Sequence, residues 1–324
     1  MKFTKVALSA TVAVIAALSV TPSFAADKVR VASAQKGFWD TTLILFGSEK
    51  GLFKKHNIEL DLIYTDGGAD AQQAVIAGSM DVAVATGTLG VLSAWSKRAP
   101  IAIISAEATG SPDISWFVKK DSPIKSPKDL EGKSVGYSRP GSSSHLIAQK
   151  VVDDAGVKAK LVSTGGPPAT LTAVMSGQVD VGWMAPPMHA ALLEKGDIRT
   201  LFTGNSAPGV KDQTVRVNAA NVQWLEKNAD VARRFLAGYR DVIDWAYAGD
   251  EAAQTWADMH KISLAQAKSF ITSNYPKEML QLATIGALDL TIQEAIETKR
   301  LDKPLSEAQK KELVKWVGQL NKAP

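Results

Sequence analysis

The chain has 324 residues, 45% of them hydrophobic and 22% charged, enough for two lobes or domains with a sizeable core. Its 37 basic and 33 acidic side chains leave a net charge of +4, a balance that argues against a nucleic-acid binder, which carries a basic patch or tail. Cysteine is absent, which excludes a disulfide framework, a thiolate metal site and a cysteine nucleophile.

Lys2 and Lys5 precede an uncharged apolar stretch over 6–20, and Ser23 and Ala25 are small residues at the positions a signal peptidase reads. The pattern predicts a secretory signal peptide over 1–25, cleaved after Ala25. The apolar stretch is shorter than the ~20 residues needed to cross a bilayer core. Strands are expected at 29–32, 60–64, 82–85 and 101–105, with helices at 41–50, 69–77 and 89–97. A second run begins near Ser115, with strands at 135–137, 161–163, 181–183 and 199–202 and helices at 143–155, 169–176 and 187–195. Strands alternating with helices imply βαβ units and mainly parallel sheets.

The two runs match at a constant offset of 99 positions. AVIAGSMDVA over 74–83 aligns with AVMSGQVDVG over 173–182, and Thr65 and Gly67 fall on Thr164 and Gly166. Each block reads as helix, glycine stop, tight turn with an Asp, then buried strand, which predicts two similar α/β lobes. From about Asn221 the chain reads as helical. SLAQ at 263–266 and SEAQ at 306–309 are capping-box patterns. Phe235, Tyr239, Val242 and Ala246 share one helix face, as do Leu313, Trp316, Val317 and Leu320.

The catalytic inventory is thin. His56, His145, His189 and His260 include no pair three to five residues apart, so a helical zinc pair is missing. No G-x-S-x-G or G-x-G-x-x-G is present. GKS over 132–134 imitates a P-loop tail, but Pro127 stands where a glycine is required and a strand follows. Asp153 and Asp154 belong to a solvated helix face. No catalytic residue, metal or cofactor is expected, and the chain reads as a binder, not an enzyme.

What the sequence offers instead is a set of strand-to-helix turns. In open α/β sheets, ligands bind beyond the carboxyl ends of the strands. Four turns fit: QKGFWD over 35–40, TGT over 86–88, SRPGSSS over 138–144 and MAPP over 184–187. The candidate ligand residues are Lys36, Phe38 and Trp39; Thr86, Gly87 and Thr88; Arg139, Gly141, Ser142, Ser143, Ser144 and His145; and Trp183, Met184, Ala185 and Pro186. The serine run opens a helix, where free N–H groups and the positive dipole end receive anions. A hydrogen bond to a charged group contributes ~1.5–3 kcal/mol, and a micromolar site needs ~8 kcal/mol. Several donors from both lobes must therefore converge. Phe38, Trp39 and Trp183 either stack on an organic ligand or fill the core. Lys36, Arg139 and His145 are charge partners or solvated loop residues. Asp40 or Asp66 either faces an amine or caps a helix.

The runs EKGLFKKHNI over 49–58, AGSMDVA over 77–83, PKDLEGKSVG over 127–136 and SGQVDV over 176–181 carry a family resemblance. Over about 29–248 the chain resembles periplasmic substrate-binding proteins of ABC importers, in the nitrate/sulfonate/taurine group. The resemblance implies the two-lobed α/β periplasmic binding protein fold of type II. Lobe 1 would comprise 26–112 and 206–324, lobe 2 would comprise 113–205, and the ligand would sit in the cleft between them. It implies ligand contacts at 38–39, 86–88, 142–144 and 183–186. The implied function is capture of a small organic anion, a sulfonate such as taurine or an alkanesulfonate, or an aromatic or aliphatic carboxylate. A periplasmic monomer would deliver it by hinge closure to an inner-membrane permease and its ATPase. Two other readings stay open: an enzyme on the same fold, of the pyrimidine-synthesis kind, and a sensory binding protein serving a membrane receptor.

Overall fold

A computed structural model describes residues 25–315. The expected signal peptide, apart from Ala25, lies outside the described residues, as do Trp316, Val317 and Leu320. The first run forms β1 (Asp27–Ser33), α1 (Trp39–Glu49), β2 (Ile58–Tyr64), α2 (Gly68–Ile76), β3 (Val82–Gly87), α3 (Thr88–Ser96) and β4 (Ile101–Thr109). The second forms β5 (Ser115–Lys119), β6 (Ser134–Tyr137), α4 (Ser143–Ala155), β7 (Lys160–Ser163), α5 (Pro167–Met175), β8 (Gly182–Met184), α6 (Ala190–Lys195) and β9 (Ile198–Thr203). After β10 (Thr214–Asn221) come α7 (Val222–Lys227), α8 (Ala229–Ala248), α9 (Glu251–His260), α10 (Leu264–Asn274), α11 (Leu288–Glu297) and α12 (Glu307–Leu313).

Five strands make the first sheet, in the order β2-β1-β3-β10-β4. Its β1–β2 and β1–β3 pairs are parallel, and β10 is antiparallel to both β3 and β4. The second half repeats this plan. β6 and β7 pair in parallel, while β5 runs antiparallel to β8 and β9. A parallel bridge from Val135 to Val181 joins the two pieces, so the spatial order is β7-β6-β8-β5-β9. The antiparallel pairs have one origin. β5 follows β4 out of the first sheet and β10 follows β9 out of the second, so the antiparallel strand inside each sheet is the one that arrives by crossing from the other sheet.

Burial follows strand position. β3, central and covered on both faces, is buried throughout, whereas β2 alternates outward from Glu59 to Asp61 to Ile63 as an edge strand does. The repeat is structural as well as textual. Gly78 and Gly177 both hold φ near +75° (+74° and +78°), where a Cβ is strained, and so turn the chain out of α2 and α5. The N–H groups of Ser79 and Met80 bond Ala74 O, and those of Gln178 and Val179 bond Ala173 O. Asp81 accepts from the Arg30 backbone N–H at 2.9 Å and from its guanidinium. Asp180 accepts from the Ser134 backbone N–H at 2.8 Å and from its hydroxyl. Thr65 and Thr164 bond the ends of β1 and β6 through Ser33 O and Tyr137 O.

The C-terminal helices close the first sheet. Phe235, Tyr239, Val242 and Ala246 of α8 are buried with Trp39, Phe53, Trp256 and Tyr275 in one core, while Ile292 and Leu313 join Ala71, Leu89, Ile103 and Val217 in another. Both capping boxes form, Ser263 with Gln266 and Ser306 with Gln309. Two expectations need correction. The sequence reading contained no strand over 214–221, yet β10 lies inside the first sheet. The helix expected over 187–195 begins only at Ala190, because His189 sits at φ +64° and interrupts helical backbone.

Candidate functional site

A cavity of about 30 Å³, room for a water or two, lies where the carboxyl ends of β1, β3, β6 and β8 meet. From the first sheet's side it is lined by Ala34, Gln35, Phe38, Asp40, Thr41, Gly68, Ala85, Gly87 and Arg216. Ile114, on the crossover, Ser138, Ser142, Ser143, Ser144 and Trp183 complete the lining. Four helices begin at this wall: α1 at Trp39, α2 at Gly68, α3 behind Gly87 and α4 behind Ser142. Their positive dipole ends converge on the cavity. Two larger grooves, of about 850 and 410 Å³, border the C-terminal helices and include only His145 of the candidate residues.

The serine turn is tied to itself. Ser142 caps α4, its Oγ accepting from the His145 N–H at 3.2 Å. Ser144 Oγ accepts from the Ser138 N–H at 3.0 Å and lies 2.9 Å from Ser138 Oγ and 3.0 Å from Ser142 Oγ. The N–H groups of Ser143 and Ser144 fall in the first turn, where the helix itself supplies no acceptor. The two halves touch beside this turn. A Cβ on Gly87 would lie 2.6 Å from Gly141 O and 3.1 Å from Ser143 N, and one on Gly90 would lie 2.7 Å from Gly141 O. Only glycine permits this approach of one backbone to the other.

The aromatic candidates divide. Phe38 and Trp183 line the cavity edge-to-face, with ring centroids 6.2 Å apart, and the Trp183 indole N–H donates to Gly165 O at 3.0 Å. Trp39, one residue further round α1, points into the first core, where its indole N–H donates to Tyr247 Oη at 2.8 Å. Thr86 and Thr88 are buried beside the cavity, and their hydroxyls donate to Gly68 O and Thr214 O. Met184 and Ala185 pack in the second half's cores, and Pro186 O accepts from Tyr275 Oη at 2.9 Å. None of these five lines the cavity.

The basic candidates stand outside the lining. Lys36 is exposed, its ammonium 5.9 Å from the Tyr64 ring centroid. Arg139 bridges the two halves, with 3.2 Å contacts to both Asp66 and Asp70. His145 stacks on Tyr137 at 4.2 Å, accepts from the Gly141 N–H at Nδ1 and lies 3.2 Å from Arg300. Burial, then the Arg300 charge, push its pKa down to about 4, so the ring is neutral at neutral pH.

Sequence reasoning weighed Asp40 but missed its partners in the charged floor of the site, Arg216, Glu107 and Asp113. Arg216 on β10 lies 3.3 Å from Asp40, 3.5 Å from Glu107 and 2.9 Å from Asp113, and all four side chains are buried. Burial raises the Asp40 carboxyl to about 6 against the lowering pull of Arg216. Burial, with the Asp40 charge adding to it, raises Glu107 to about 8. The available signal was a lone charge inside each of two apolar runs, VRV at 215–217 and AEA at 106–108. Opposite charges in two strands covered on both faces predict that they meet.

The chain is 26% identical over 242 residues to a Brucella abortus protein named only as a binding protein, covering 72% of this chain and 73% of that one. It is 28% identical over 176 residues to an Escherichia coli protein named for binding aliphatic sulfonates, 54% of this chain and 53% of that one. The alkanesulfonate-binding protein SsuA of Xanthomonas axonopodis, solved with MOPS bound, superposes with a TM-score of 0.72 at 17% identity, over 86% of this chain and 94% of that one. The desulfurization enzyme DszB superposes with a TM-score of 0.60 at 15% identity, over 87% and 95%. These structural likenesses show a shared periplasmic binding protein fold, which carries both binding proteins and an enzyme. The model of the family described as NMT1/THI5 like matches residues 39–253. That span holds both copies of the internal repeat and every residue of the serine turn, and the chain belongs to the NMT1/THI5-like family.

Proposed function

We propose that this protein is the extracytoplasmic solute-binding component of an ABC importer, capturing a small organic anion between two lobes. Lobe 1 comprises 26–112 with 206–324, and lobe 2 comprises 113–205. The carrying observation is the cavity to which both sheets contribute and at which four helix N-termini converge. The names of the Brucella and Escherichia coli relatives support a binding role, and the sulfonate-binding relatives support an acidic solute. The signal-peptide pattern supports export to the periplasm.

In this reading the anionic group meets the Ser142–Ser144 turn, while Phe38 and Trp183 flank the solute's apolar part. Trp39, Thr86, Thr88 and Met184 to Pro186 hold the loops in place from behind. Closure is a hinge motion of one lobe against the other. It follows ligation because the solute touches both lobes only when they are shut, and only such differential contact shifts the equilibrium. A membrane permease then receives the closed form.

Titration calorimetry of the chain lacking residues 1–25, against alkanesulfonates, aliphatic and aromatic carboxylates and nitrate, tests the reading. One-to-one binding with the solute recovered unchanged is expected. Consumption of the solute would establish the enzyme alternative that the DszB likeness keeps in view.

A further inference from the structure

Behind the serine turn lies a cation that no acid answers. Arg300 is half-buried and lines both grooves beside the C-terminal helices. Among the described residues its guanidinium has no carboxylate partner, and its Nη2 lies 3.2 Å from His145 Nδ1. Burial pulls its pKa below the ordinary value. An unpaired charge taken out of water costs stability, so packing alone does not account for an arginine here. Its backbone is fixed. α11 ends in a Schellman turn, where the Arg300 N–H bonds Ala295 O at 2.7 Å and the Lys299 N–H bonds Ile296 O at 2.9 Å. Lys299 takes the left-handed position of that turn at φ +55°, and Ser96 Oγ donates to Arg300 O at 3.3 Å. The side chain leaves this corner of the first sheet's side and crosses to the second half.

There it meets the start of α4. In a capping box the third helical residue is Glu or Gln and reaches back to the N–H of the cap. Here that residue is His145. Its own N–H donates to Ser142 Oγ, and its Nδ1 accepts from the Gly141 N–H at 3.1 Å, one residue before the cap. An Nδ1 facing two donors carries no proton, so the proton of the neutral ring sits on Nε2. Gly141, at φ +87°, is also the residue whose carbonyl meets Gly87 and Gly90. Besides Arg300 and the stacked Tyr137, the charged side chains around this groove are Asp153, Glu297 and Lys299, and among the described residues none is hydrogen-bonded or ion-paired to the ring. We propose that Arg300 is a positioning residue: through His145 Nδ1 it holds Gly141, and with it the Ser142–Ser144 turn, in the shape that the turn presents to the cavity. A protonated imidazole offers Gly141 no acceptor, and burial, then the Arg300 charge, oppose that protonation. The role rests on the serine turn receiving the solute, as in the proposed function, but the relay itself is measured without solute.

Titration of the His145 ring by NMR, with amide exchange at Gly141, tests this on the chain lacking 1–25. The unaltered chain should show the Nε2–H tautomer and a midpoint of about 4. Arg300→Gln should raise that midpoint by about half a pH unit or more and speed Gly141 exchange at neutral pH by about fivefold or more. Lys299→Gln removes an exposed cation from the same groove and should change neither. With ethanesulfonate, benzoate and nitrate as probes in calorimetry, the affinity of each that binds should fall about fivefold in Arg300→Gln and hold in Lys299→Gln. A midpoint near the ordinary ~6.5 or the Nδ1–H tautomer in the unaltered chain overturns the relay. So does a midpoint or an exchange rate that Arg300→Gln leaves in place, or that Lys299→Gln moves as far. Affinities unchanged by Arg300→Gln overturn the positioning role and leave the proposed function standing. Should none of the three probes bind the unaltered chain, the proposed function loses its support while titration and exchange still decide the role of Arg300. Should Arg300→Gln not fold, judged by its thermal transition, the tautomer and midpoint of the unaltered chain decide.

Discussion

The two walls of the cavity are built on one repeated frame yet carry different chemistry. On the first sheet's side, Asp40, Glu107, Asp113 and Arg216 form a buried charge cluster. On the other side the polar lining is neutral, made of Ser138 and the Ser142–Ser144 hydroxyls. The residues common to both copies, Gly78 with Gly177 and Asp81 with Asp180, lie in turns away from this lining and hold the sheets. Frame and lining are therefore separate in sequence, and the loops beyond the strand ends are where the two halves differ.

Removing the charge balance of the first wall should have the largest effect. Arg216→Met leaves the Asp40 and Asp113 carboxylates buried without a cation beside the protonated Glu107, and breaking such a cluster costs about 3–5 kcal/mol. Urea unfolding of the variant against the unaltered chain measures it, and a loss under 1 kcal/mol would mean the cluster is solvated or protonated. On the second wall, Ser143→Ala combined with Ser144→Ala should weaken binding of an anionic solute by ~1.5–3 kcal/mol per lost charged hydrogen bond, about tenfold or more each. Unchanged affinity by calorimetry would remove the serine turn from the site.

Gly87→Ala tests the seam between the walls. Its Cβ would meet Gly141 O at 2.6 Å, and overpacking of this kind costs ~1–3 kcal/mol. The loss should appear in solute affinity, with a wider scattering envelope for the ligated protein. Affinity equal to that of the unaltered chain would show that the seam yields without cost.

The last contrast is in pH response, which the neutral second wall should lack. The folded protein raises Asp40 to about 6 and Glu107 to about 8, chiefly by burial, above the ~4 of carboxyls in the unfolded chain. The folded form therefore holds these protons more tightly. Stability from this source is complete below about pH 4 and is lost as pH climbs through 6 and 8, by about 1.4 kcal/mol per pH unit for each proton retained. Urea midpoints at pH 6, 7 and 8 should fall, and Glu107→Gln should flatten the upper part of the fall. A flat profile in the unaltered chain would contradict it.

Much of this frame was legible in the sequence because the relevant signals are local. Helix, Gly78, Asp81 and a fully apolar strand lie within ten positions, and their copy around Gly177 and Asp180 doubles the signal. α4 was legible end to end from Ser142 and Gly156, which cap it. β10 was not. Its VRVN alternation resembles a half-exposed strand, and its burial depends on β3 and β4, more than 100 positions earlier. The turns that form the cavity were visible as strand-to-helix junctions, but not which side chains face inward. Phe38 and Trp39 are adjacent and chemically alike. Phe38 stands at the N-cap of α1 in extended backbone and lines the cavity, while Trp39, the first helical residue, reaches Tyr247 of α8, a partner no local pattern announces.

The contact of Gly87 and Gly90 with Gly141 has a consequence for how such a trap diversifies. Main-chain atoms meet there with no side chain between them, so under the proposed hinge closure they would act as a mechanical stop on how far the jaws shut. Exchanges among the lining side chains then alter which cargo is gripped without altering the shut geometry that a docking partner would read. Selectivity and signalling can change one at a time.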